Sequence, residues 1–125
     1  MKKIINTPNA PAPIGPYSQA VLSGNMLFAS GQVALDPATG ELVIHTLEAE
    51  TTQVMKNLQA VLTEGGATFD NVVMTTIFLS DMDYFATVNS IYGTYFTADF
   101  PARATVAVKT LPKNVNVEIA VIAVI

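Results

Sequence analysis

The sequence has no cysteine, one histidine, one arginine and only 13% charged residues. Without cysteine there are no disulfides, no thiolate nucleophile and no cysteine metal site. One histidine, His45, cannot build a histidine cluster, so a metal site would have to use carboxylates alone, and the ten acidic residues are scattered. No metal is therefore expected. Six basic residues against ten acidic ones give a net charge of −4 and no basic patch to neutralise phosphates, so nucleic acid is not an expected partner. Long apolar runs are also lacking. The longest, Ile119 to Ile125, is far short of the ~20 residues that span a bilayer. Asn6, Pro8, Asn9 and Pro11 interrupt what would have to be the apolar stretch of a signal peptide, which leads to the expectation of a cytoplasmic protein.

What is present is apolar. Hydrophobic residues make up 50% of the 125 residues, whereas charged residues average about 25% in soluble domains. The length fits one domain. With a membrane span excluded, the shortage of charge implies that part of the surface is covered by other copies of the chain.

Residues 1–15, rich in Pro, Asn and Gly, read as an irregular lead-in. Gln19 to Leu22 and Met26 to Ala34 are apolar segments around Ser23-Gly24-Asn25, a hairpin signal. Asp36 to Gly40 is a second turn, and a short strand from Glu41 to Ile44 follows it. From Thr46 to Glu64, apolar residues recur at three- and four-residue steps (Leu47, Val54, Met55, Leu58, Val61, Leu62). That spacing predicts a helix with Thr46 as its N-cap and Gly65-Gly66 as its stop.

Val72 to Ser80 reads as a buried strand. Asp81 and Asp83 are candidate caps for a second helix, with stripe Phe85, Val88, Tyr92, Tyr95 and Phe96, which Pro101 ends. Ala102 to Thr110 and Asn116 to Ile125 are predicted strands joined by the turn Leu111 to Asn114. This order implies an α+β fold, a sheet with two helices on one face, and a second face that partner subunits bury.

Few residues are chemically distinctive. Arg103 opens a strand rich in Thr, Val and Ala, and its planar fork matches a carboxylate bidentately where lysine would not. A structural salt bridge and a ligand carboxylate remain as the two readings of it. Glu118 falls on a strand face with Ala120, Ile122 and Val124, where desolvation should raise its pKa and suit it to proton exchange near neutral pH. Pairing with Arg103 or a lysine is the alternative. A hairpin around Leu111 to Asn114 would put Arg103 and Glu118 on one face, about 13 Å apart at ~3.3 Å per residue. Tyr17 follows a Gly-Pro turn, Ser30 precedes Gly31 inside a strand pattern, and Asn89 lies on the second helix; each alone is a weak signal. His45 reads as a surface or capping residue, and the helix aromatics as core.

Taken together, Ile14 to Ala20, Ser30-Gly31-Gln32, Phe85 to Asn89, Pro101-Ala102-Arg103, and Leu111-Pro112-Lys113 leading to Val117-Glu118-Ile119 resemble the Rid (YjgF) family of enamine/imine deaminases. The resemblance runs from Asn9 to Ile125. It implies a chorismate-mutase-like α+β fold and a homotrimer with sites between subunits. It also implies hydrolysis of 2-imino acids, such as 2-iminobutanoate or 2-iminopropanoate, to 2-keto acids and ammonia without metal or organic cofactor. By this resemblance Arg103 grips the substrate carboxylate, Glu118 positions or activates water, and Tyr17, Ser30, Gly31 and Asn89 line the pocket. Thr105 stands where relatives often carry cysteine and contributes its backbone. The segment before Pro101 looks shorter than in some relatives, which bears on the pocket rim. A non-enzymatic sensor of 2-keto acids, regulating amino-acid metabolism, would use the same cleft.

Overall fold

A computed structural model describes residues 1–125. Six strands and two helices follow one another as β1 (Lys2–Ile5), β2 (Ala20–Ser23), β3 (Met26–Gln32), α1 (Leu47–Glu64), β4 (Val72–Leu79), α2 (Phe85–Gly93), β5 (Ala102–Ala107) and β6 (Val117–Val124). They form one mixed sheet in the order β1-β2-β3-β6-β4-β5. Every pairing is antiparallel except β4 with β5, which is parallel.

α1 forms where its apolar period predicts. The Thr46 hydroxyl accepts the Ala49 N–H, satisfying one of the four donors that a helix start leaves open, and Gly65 closes the other end. Its stripe of Val54, Met55, Leu58, Val61 and Leu62 is fully buried against the sheet, within a core of 23 residues that includes Leu27, Ile77, Leu79, Ile119 and Val121. Burying each such side chain contributes about 1.5–3 kcal/mol, so this interface supplies much of the stability. α2 packs beside α1 on the same face, and Val88, Tyr92 and the following Phe96 are buried.

Several expectations need correction. The lead-in is not wholly irregular: Lys2–Ile5 pairs with β2 as an edge strand, although only Ile5 of its four residues is buried. With so little burial it leaves almost no alternating pattern to read. The strand expected from Glu41 to Ile44 is a single bridge between Leu35 and Leu42. Asp81 caps a 3-10 turn, Met82–Tyr84, rather than α2, which starts at Phe85 without a side-chain cap. α2 ends at Gly93, well before Pro101.

The largest correction concerns the last two strands. β5 and β6 are not a hairpin, because β4 lies between them and pairs with both. A parallel pair needs a crossover, and α2 supplies it between β4 and β5. The turn at Pro112–Asn114 therefore leads to β6 across the width of β4.

The second face of the sheet has no helix on it. Ile4, Phe28 and Val106 stand on it 52%, 41% and 44% exposed, with Ala120 and Ile122 half-buried between them. No helix is long and apolar enough to cross a membrane. Leu58→Ala, which removes a side chain with no exposure at the centre of the helix–sheet interface, is expected to cost about 2–5 kcal/mol, read as a lower urea midpoint with unchanged slope.

Candidate active site

Successive side chains alternate across a strand, and residues level with one another on neighbouring strands share a face. Thr75 of β4 is level with Arg103 of β5 and Val121 of β6. Thr75 and Val121 are buried under the helices, so Arg103 projects on the helix face at the sheet's edge. Phe78 is level with Val106 and Glu118, and these three point to the opposite face. Within one chain, then, Arg103 and Glu118 lie on opposite sides of the sheet. The shared face at about 13 Å does not exist, because the hairpin on which it rested does not exist.

α2 builds the surroundings of Arg103. Phe85, Asn89 and Tyr92 are spaced four and three residues apart and share one helix face. The guanidinium carbon lies 5.4 Å from the Phe85 ring centre and 5.3 Å from that of Tyr92. Cation–π attraction on both sides stabilises it there by about 0.5–1 kcal/mol per ring at an exposed site. One guanidinium nitrogen, Nη1, donates to the Asn89 side-chain oxygen at 2.6 Å. The partner is a neutral amide, so the positive charge is held without being neutralised.

The Tyr92 hydroxyl donates to Thr75 Oγ1 at 3.1 Å, fixing the ring. Burial raises the Tyr92 pKa, and the Thr75 hydrogen bond and the Arg103 charge oppose it only in part, so the phenol stays neutral at physiological pH. A cavity of about 450 Å³ opens here, lined by Asn89, Tyr92, Gly93, Phe100, Pro101 and Arg103. Phe96 packs between Tyr92 and Phe100, with ring centres 4.9 and 6.2 Å away, and supports its wall. Thr105 follows on the same face as Arg103, and its hydroxyl oxygen is buried without a partner.

Glu118 heads a second cavity, of about 420 Å³, whose lining includes Ile14, Tyr17, Ser30, Gly31 and Lys113. The register of β3 against β6 shifts between Ala29 and Gln32, a bulge that opens the sheet beside the carboxylate. A Cβ on Gly31 would stand 2.5 Å from Glu118 Oε2, so a larger residue there would displace the carboxylate. This is the close approach that a glycine within a strand signals. Ser30 Oγ donates to the Ser18 carbonyl at 2.6 Å, which leaves its oxygen free to accept.

The lead-in wall is held by buried Gln19, which accepts the Thr7 N–H at 2.7 Å and donates to the Thr7 and Pro11 carbonyls at 3.0 and 2.9 Å. Lys113, at the far rim, has a left-handed backbone, φ 59°, followed by Asn114 at 56°. Desolvation raises the Glu118 pKa above the ordinary carboxylate value.

The site residues expected from sequence thus fall into two groups. Arg103, Asn89 and Thr105 stand on the helix face, and Tyr17, Ser30, Gly31 and Glu118 form the other cavity. Phe85 and Tyr92 were read as core; Tyr92 is core and also one wall of the guanidinium's seat. Their seven-residue spacing marks a common helix face, but nothing in the sequence says which strand residue meets it. No cluster of three or more His, Cys, Asp or Glu side chains that could hold a metal ion is present.

Glu118's raised pKa has a consequence for stability. An acid whose folded pKa lies above its unfolded one disfavours the folded state once it ionises. The penalty is absent below the ordinary value of 4.5, and it grows as pH rises from there through the folded pKa. Glu118→Gln is therefore expected to match the native melting temperature near pH 4 and to exceed it at pH 7 in a thermal melt series, and a gap that does not widen with pH would contradict this.

Comparison with known proteins places this geometry. A family model described as Endoribonuclease L-PSP matches residues 7–125. The chain is 50% identical over 124 residues to mouse 2-iminobutanoate/2-iminopropanoate deaminase, covering 99% of this chain and 92% of the mouse protein. The crystal structure of YyfA, a protein of unknown function of the conserved Rid family from Yersinia pestis, matches with a TM-score of 0.97 at 49% identity, covering all of both chains. The YjgF gene product of E. coli matches with a TM-score of 0.93 at 46% identity over 98% of each chain. Match, identity and shared fold extend over essentially the whole length, and the chain belongs to the Rid (YjgF, L-PSP) family.

Proposed function

We propose that this protein is a cofactor-independent deaminase that hydrolyses 2-imino and enamino acids to 2-keto acids and ammonia, in clefts between the subunits of a homotrimer. The observation that carries the reading is Arg103, whose guanidinium is seated between Phe85 and Tyr92 and tied to the neutral Asn89 amide. Of its five N–H donors, those not used by Asn89 suit a small organic carboxylate.

Arg103 and Glu118 face opposite sides of one sheet, so in this proposal each cleft takes Arg103 from one copy and Glu118, Tyr17 and Ser30 from another. The uncovered apolar face and the low charge content support association of that kind. The homologous mouse protein carries the name of this activity. With six basic residues and a net charge of −4, the chain offers a polynucleotide little to hold, which weighs against the ribonuclease description attached to the family model.

The chemistry asks little of the protein. Arg103 holds the carboxylate and presents the C=N carbon. Glu118 takes a proton from water as its oxygen adds to that carbon, and a proton reaches the nitrogen. In the collapse of the resulting carbinolamine, Glu118 returns its proton to the amine, the hydroxyl gives up its own proton as the C=O bond forms, and the C–N bond breaks to release ammonia. A carboxyl group with a raised pKa can both accept and return protons near neutrality. Positioning plus one acid/base group would supply about 10²–10⁴-fold.

The test uses an amino-acid dehydratase to generate the imine while keto-acid release is timed. The native protein should accelerate release, and equal rates with and without it would reject the reading. Arg103→Ala should abolish acceleration and lower 2-keto acid affinity at least tenfold. Glu118→Gln should retain 2-keto acid binding while turnover falls about 100-fold. A protein that only senses 2-keto acids would bind them equally well in both the native and Glu118→Gln forms and accelerate nothing.

A further inference from the structure

The proposed mechanism makes no use of the most deeply buried carboxylate in the chain. Glu50, in the first turns of α1, has no exposed surface. Both of its oxygens are spent on one short segment. Oε2 accepts the backbone N–H groups of Asn116 at 2.7 Å and Val117 at 3.2 Å, and Oε1 accepts the Asn116 side-chain amide at 2.8 Å. The carboxylate is stabilised by its three donors, and it satisfies two backbone N–H groups that an apolar residue would leave without this partner. The segment is special because of what adjoins it. The left-handed pair Lys113 and Asn114 precedes it, Pro112 and Lys113 form a rim of the Glu118 cavity, and Glu118 itself is the next residue after Val117.

We infer that Glu50 is a positioning residue for Glu118: it clamps the first residues of β6 to α1 from the helix face, and so fixes the carboxylate that emerges from the opposite face. The rest of the clamp agrees. The Asn116 carbonyl accepts the Ser80 N–H at 3.0 Å and its side-chain oxygen accepts the Ser80 hydroxyl at 3.1 Å, so Asn116 is held from both α1 and the end of β4. Glu118 lies against the Cα of Gly31, its Oε2 2.5 Å from where a Cβ would stand, beside the β3 bulge. A shift at Asn116 of a fraction of an ångström moves that carboxylate relative to the cavity. Misplacement of about 1 Å is enough to cost 10²-fold in rate.

This inference rests on the deaminase reading for its kinetic consequences but not for its structural one, and its test separates the two. Glu50→Gln keeps the shape and an oxygen for the two backbone N–H groups. The Asn116 side chain can turn to meet the new amide, since the Ser80 hydroxyl can accept as well as donate. Glu50→Ala removes all three bonds, and Asn116→Ala removes the side-chain bonds to Glu50 and to the Ser80 hydroxyl while keeping both backbone N–H bonds, a milder break should Glu50→Ala fail to fold. Two readouts are used on folded oligomer: turnover of dehydratase-generated imine, and the Glu118 carboxyl titration followed by carbon-13 NMR. The other ionisable groups of that cavity, Tyr17 and Lys113, and the Arg103 that the proposed cleft takes from another copy stay unchanged in every variant.

The expectation is a 10- to 100-fold loss of kcat in Glu50→Ala, about tenfold in Asn116→Ala, unchanged 2-keto acid affinity in both, and recovery in Glu50→Gln. The Glu118 titration should fall toward the ordinary carboxylate value in Glu50→Ala, as water reaches a loosened side chain, and stay high in Glu50→Gln. Equal behaviour of Gln and Ala at position 50, or an unmoved titration in both alanine variants, would overturn the inference. If the native protein does not accelerate imine hydrolysis, the deaminase reading fails, and the titration alone still decides the positioning role.

Discussion

β4 separates the two charged groups on which any chemistry here depends. Its side chains alternate with a period of two, and its register against β5 and β6 sends Arg103 with Thr75 to the helix face and Glu118 with Phe78 to the other. No rotamer change brings side chains from opposite faces of a packed sheet together. One chain therefore carries two separate cavities, one beside a guanidinium and one beside a carboxylate with a raised pKa. The same face that carries Glu118 carries the exposed apolar residues that no helix covers. The proposed shared site would bring copies together on the face that carries this apolar surface.

Each cavity is preorganised by different means. The anion side relies on aromatic packing: Tyr92 is anchored by Thr75, and Phe96 couples it to Phe100, so the guanidinium meets fixed ring faces instead of mobile side chains. The proton side relies on backbone exceptions, namely a bulge at Ser30-Gly31, a left-handed pair at Lys113 and Asn114, and a lead-in held by Gln19. Such features cost stability locally, and the large helix–sheet core offsets them. Within one chain, Arg103 has a neutral partner and Glu118 is desolvated, so neither charge is compensated there.

The sequence made the helices and most strands legible, because amphipathic stripes and turn residues act locally. α1 with its Thr46 cap, the β2–β3 hairpin, and the alternation that puts Glu118 with Ala120 and Ile122 all follow from spacing. Strand order does not. A turn between two apolar runs resembles a hairpin whether or not a third strand slips between them, and the pairing of β4 with both β5 and β6 is non-local. That misplacement set the relation between Arg103 and Glu118 wrong even though both residues were singled out. Glu50 was invisible for a similar reason: it sits among helix-forming polar residues, and only the tertiary contact with Asn116 and Val117, 66 and 67 positions away, gives it meaning. The family resemblance supplied what spacing could not, the idea that copies share a site.

The most direct measurement is complementation between two defective variants. Arg103→Ala and Glu118→Gln chains, each lacking one half of the site, are mixed, unfolded and refolded together, and imine hydrolysis is compared with each variant refolded alone. If a site joins Arg103 of one copy to Glu118 of another, about one cleft in four of a random mixture is native, and activity returns to about that fraction. If the mixture stays as inactive as its parents while mixed oligomers demonstrably form, the site does not span two copies and the account of it is wrong.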